Sequence, residues 1–99
     1  MFTALAALGL MLQSSSEGLV SYEEAVRCAG LTQAASELEG GESEEGRRLY
    51  DAALYWSLAA MRAGTAAGKR SSAAEADQTR ARIEAVRQLR GQEGDRQVP

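Results

Sequence analysis

The stretch nearest to dedicated chemistry is Gly64 to Ser71, GTAAGKRS, whose Gly-Lys pair resembles the end of a phosphate-binding loop. The spacing of such a loop demands a glycine where Ala63 stands. Arg70 occupies the place of the Ser or Thr that would hold magnesium. The residues before it pattern as a helix, whereas the motif follows a strand. The stretch therefore reads as a helix–helix connection.

Glu37, Glu39, Glu42, Glu44 and Glu45 crowd one turn. They lack the alternating acids and fixed glycine of a calcium loop, so they read as a solvated turn with acids at a helix start. Asp51 interrupts an apolar helix one turn after Arg47 and Arg48, and an ion pair on the helix surface would account for it. Cys28 is the single cysteine and there is no histidine, which excludes an intramolecular disulfide and a Cys/His zinc cluster. The missing histidine also removes the usual proton carrier at neutral pH. No catalytic, cofactor-binding or metal-ligating residue is expected, and the chain reads as a non-enzyme with no small-molecule substrate.

Charge is unevenly placed. Residues 1–68 carry four basic and nine acidic side chains, and residues 69–99 carry seven basic and five acidic ones. The last helix holds Arg80, Arg82, Arg87 and Arg90, but Glu75, Asp77 and Glu84 interleave with them. A nucleic-acid-binding face would be free of those acids. The expected partner is a protein, or a second copy of the chain.

The elements follow from capping and periodicity. Ser21 with Glu24 has capping-box spacing and starts a helix that Gly40 and Gly41 stop. Tyr22, Ala25, Val26, Ala29, Thr32 and Ala35 form its main stripe, and Gly30 inside the pattern marks a close helix crossing. Ser43 caps a second helix from about Glu44 to Ala63, followed by a loop over residues 64–70. Ser72 with Glu75 is a further capping pair, opening a helix that Gly91 ends. Ala76, Thr79, Ile83 and Val86, with Leu89 beside them, form its narrow stripe.

The second helix carries Leu49 to Met61, with the only Trp and two of the three Tyr. Leu49, Ala52, Ala53, Trp56, Ala59, Ala60 and Ala63 share one broad face, and Tyr50, Leu54, Leu58 and Met61 a second. Such a helix needs neighbours on more than one side, so it is expected at the centre, with Trp56 in the core. If its neighbours leave a strip uncovered, the interface is Leu54, Tyr55, Leu58 and Met61, buried by self-association or by another protein.

Met1 to Leu12, MFTALAALGLML, is almost wholly apolar and too short for a comfortable membrane span. With Ser14-Ser15-Ser16 after it, it reads as an export signal or anchor over residues 1–16, capable of transient membrane contact, although no Lys or Arg precedes it. The expected class is all-α: a small up-down three-helix domain of helical hairpins over residues 17–91, preceded by that segment and followed by a flexible tail over 92–99. The leading functional reading is an exported, periplasmic-type interaction or structural module. The alternative is a cytosolic regulatory or adaptor protein whose N-terminal segment is a packed helix.

Two pieces resemble parts of tetratricopeptide-type helical hairpins. Tyr22-Glu23-Glu24-Ala25 is similar to the start of that repeat's second helix, and Trp56 followed by Leu58 and Ala59 to its first. The Leu follows the Trp by two residues instead of three, and the repeat's period of about 34 residues is not visible. The resemblance implies peptide or protein binding on a concave face.

Overall fold

A computed structural model describes residues 20–97, with side chains described through residue 92. The N-terminal segment, Met1 to Ser16, lies outside the described residues. Those described form three helices and no strands: α1 (Tyr22–Glu39), α2 (Glu44–Ala66) and α3 (Ser71–Gln97).

Local chemistry sets the helix ends. The Ser21 hydroxyl accepts from the Glu24 N–H at 3.2 Å and opens α1. Gly40, at φ +88°, closes it with its N–H on the Ser36 carbonyl. The Ser43 hydroxyl accepts from the Gly46 N–H at 2.9 Å and starts α2, with Glu44 and Glu45 in the first turn.

Two boundaries differ from expectation. Gly64 does not end α2, which runs on to Ala66. Gly68, at φ +80°, makes the stop: its N–H bonds to the Thr65 carbonyl and the Lys69 N–H to the Gly64 carbonyl. This is a Schellman ending, which leaves only residues 67–70 as loop. Ser72 does not cap α3, because the helix is already under way at Ser71 and the Arg70 carbonyl takes the Ala74 N–H. The helix also passes through Gly91, which is exposed with nothing near its missing Cβ, and continues to Gln97. Strong helix formers on either side carry it across a cost of about 1 kcal/mol.

The start of α1 meets the end of α2 and the start of α3: Tyr22 lies against Gly64 and bonds to Asp77. So α1 runs antiparallel to α2 and parallel to α3, an up-down-up arrangement. The central helix is α1, not α2. It packs extensively on both others, which touch each other far less.

Small residues explain that order. Among the described residues, the buried apolar side chains are all alanine: Ala25, Ala29 and Ala34 of α1, Ala53 and Ala60 of α2, Ala74 and Ala85 of α3. Gly30 and Gly64 are buried with them. On α1, Ala25 with Ala29 and Gly30 with Ala34 form two i,i+4 ridges about 100° apart, so two neighbours can approach closely. A Cβ on Gly30 would sit 2.6 Å from the Ala81 carbonyl carbon and Cβ. Trp56, expected in the core, is half-buried. The buried face of α3 is also rotated from the expected one: Ala74, Gln78 and Ala85 are inside, while Ala76, Thr79 and Ile83 face outward.

Gly30→Ala is expected to destabilise the domain by about 1–3 kcal/mol, because backbone of α3 must move to admit the methyl group. Gly91→Ala fills open space and is expected to stabilise by about 0.5–1 kcal/mol through helix propensity. Urea unfolding of the two variants gives the signs, and a stabilised Gly30→Ala would contradict the close crossing.

Candidate functional site

Four of the large apolar side chains of α2 lie outward, while Leu49, Trp56 and Met61 are half-buried. Tyr50, Leu54, Tyr55 and Leu58 are between 50% and 62% exposed. Leu54, Tyr55 and Leu58 thus lie on an open strip. Tyr50, which the sequence placed on the same face but not in the interface, extends it by one turn. Met61 is half-buried and turned toward α3, its sulfur accepting from Gln78 Nε2 at 3.3 Å. Tyr55 packs edge-on against Trp56, with ring centroids 5.2 Å apart and planes at 86°.

A groove runs along the strip toward α1. Gln33, Ser36 and Glu37 line one wall and Tyr50, Ala53, Leu54 and Ser57 the other. Arg82 of α3 closes its end by pairing with Glu37 at 3.1 Å. Arg82, expected on a solvated basic face, is instead half-buried and bridges two helices. Ser57 Oγ donates to Gln78 Oε1 at 2.8 Å, satisfying the amide where it is buried between α2 and α3.

The ion pair expected for Asp51 does not form. Arg48 turns back to Glu44 at 3.3 Å and to Glu45, and Arg47 donates to the Glu42 carbonyl. A Glu N-terminal to its Arg is the favoured order on a helix, and Asp51 would require the reverse. Asp51 is exposed and pairs with no described residue. Cys28 is a half-buried free thiol. Among the described residues, no three of His, Cys, Asp and Glu gather where they could hold a metal ion.

The titratable cluster lies at the other end of the molecule, and sequence reading missed it. Tyr22 Oη donates to Asp77 Oδ2 at 2.6 Å. Lys69 stands 3.6 Å from the same carboxylate and 4.8 Å over the Tyr22 ring, and Arg80 pairs with the other oxygen. Burial, then the Asp77 carboxylate, pushes the Tyr22 phenol up to about 12. The hydrogen bond from Tyr22, helped by Lys69 and Arg80, holds the Asp77 carboxyl below its ordinary range against the opposing effect of burial. With one group titrating far above neutrality and the other well below, the cluster holds its proton and pins α1 to α3. The only sequence signal was Tyr22 in an alanine stripe, with no hint of which acid it would reach.

Comparison with protein-family models, with curated proteins and with solved structures finds no match.

The signs of the two shifts set a pH dependence. The Asp77 contribution is complete above its ordinary value of 3.8 and disappears as pH falls through its depressed one. The Tyr22 contribution is complete below 10.0 and disappears as pH rises through about 12. Tyr22→Phe should therefore melt below the wild type at neutral pH, with the deficit shrinking at both extremes. Thermal melts across that range check it, and parallel curves would show that the contact does not contribute.

Proposed function

We propose that this chain is a small, exported helical module that binds protein through the α2 strip and does no catalysis. The observation that supports binding is the strip itself. Four large apolar side chains are half or more exposed on one helix of a domain whose interior is alanine. Such a patch, on the order of 400–500 Å² given the size of these side chains, lies within the range of about 300–600 Å² of the largest apolar patch on a monomer, which often serves a function. Tyr55 suits this role, since a phenol combines a large apolar contact with a polar tip. The reading without catalysis rests on the missing histidine and on the lack of any recognisable catalytic or metal-binding motif in the sequence.

Export is supported by the apolar Met1–Leu12 run and the serines after it. Among the described residues, no helix is long and apolar enough to cross a membrane.

Two measurements test this. Measured at a concentration too dilute for association, Leu54→Glu and Leu58→Glu should each change folding stability by no more than about 0.5 kcal/mol, as surface substitutions do, while abolishing association at higher concentration. A large loss of stability would mean that the strip is core. Mass spectrometry of the protein from its native host should show loss of roughly the first 16 residues, the length of a signal peptide with its cleavage region. Intact Met1 in a cytosolic fraction would overturn export.

A further inference from the structure

The charges along the strip select its occupant. Asp51, Tyr55, Leu58 and Arg62 are exposed and succeed one another at intervals of four, three and four residues. At about 100° per residue these four project along a single line of α2, the spacing of a coiled-coil seam. Leu54 flanks the line on the groove side.

The order along it is acid, apolar, apolar, base. Asp51 and Arg62 form no ion pair with any described residue, whereas the neighbouring Arg47 and Arg48 are both engaged within α2 and its cap. A seam of this order is complementary to itself when reversed. If a second α2 lies antiparallel across it, each Asp51 faces the partner's Arg62 and each Tyr55 faces the partner's Leu58. A parallel pair would instead set acid against acid and base against base. Antiparallel packing also aligns the helix dipoles favourably.

We infer that the α2 strip is the twofold interface of a homodimer, in which two α2 helices pack antiparallel, Tyr55 against Leu58, closed at both ends by Asp51–Arg62 ion pairs. This rests on the reading of the strip as a docking surface and names the partner: a second copy of this chain. The twofold axis crosses α2 near Trp56 and Ser57, midway between the paired charges. The seam is short, so the dimer is one that concentration controls.

Charge reversal tests it. Sedimentation of the full chain at micromolar concentrations should show dimer. Asp51→Arg and Arg62→Asp, each placing like charges at both ends of the seam, should each weaken the dimer roughly tenfold or more. The double variant Asp51→Arg/Arg62→Asp restores opposite charges and should recover the wild-type dimer. Circular dichroism melts confirm that each variant is folded. A dimer indifferent to the single reversals, or one that the double variant does not recover, overturns the antiparallel seam. A full chain that stays monomeric overturns the homodimer and leaves the strip to the N-terminal segment or to another protein. The docking-surface reading is judged separately: it fails only if folded Leu58→Glu loses no association of any kind, or if Leu58→Glu unfolds the domain.

Discussion

Everything in this fold depends on how closely α3 approaches α1 at Gly30. There the missing side chain lets Ala81 lie against bare backbone. Dispersion between atoms is weak singly and falls quickly with distance, so an interior of methyl groups coheres only at close range. Alanines provide that range along both ridges of α1. The same closeness excludes anything larger, and among the described residues no bulky side chain is fully buried. The outward position of Leu54, Tyr55 and Leu58 is therefore a consequence of how the core is made.

A core of alanines has little relief. Methyl ridges resist sliding less than interlocked leucines and phenylalanines would, so the register of α3 on its neighbours needs other determinants. Directional contacts provide them at three levels. Tyr22 reaches Asp77 near the start of α3, Gln78 bridges Ser57 and Met61 one residue later, and Arg82 reaches Glu37 beyond the crossing. The last joins a half-buried Arg82 to an exposed Glu37 and is of modest strength. The first two are partly shielded from water and hold their geometry better. Lys69 adds to the first by covering the Tyr22 ring from the loop, coupling the end of α2 to the same point.

The helices and their order were legible in the sequence because caps and periodicity are local. Ser21, Ser43 and Gly40 act as their residue types predict. Gly30 was legible as a crossing for the same reason: a glycine inside a helical pattern needs a compensating contact. The identity of the central helix was not legible. Apolar content pointed to α2, but an alanine-built core places at its centre the helix with small residues on two sides, and hydrophobicity does not record that. The rotated face of α3 was hidden likewise, since Gln78 is buried by partners on α2 while Ile83 is left outside. Of the candidate site, Leu54, Tyr55 and Leu58 were legible as a strip without a neighbour. Met61 was not separable from them, because its turn toward Gln78 depends on where α3 crosses.

The thin core and the exposed strip bear on each other through mass action. A domain of this size buries a modest share of its surface, and alanines contribute little area each. Any partner that binds only the folded form adds RT ln(1 + [L]/Kd) to its stability, about 2.7 kcal/mol when the partner is present at about a hundred times Kd. That is a large addition to a small margin. The strip is formed by a continuous helix whose own ends are capped by Ser43 and Gly68, so it is present before any partner arrives. A partner on this strip would meet backbone already ordered, so the ordering cost would fall on side chains alone: Tyr50, Leu54, Tyr55 and Leu58, with Asp51 and Arg62 beside them. Large side chains left outside a core of methyl groups thus become the means by which association can strengthen the fold.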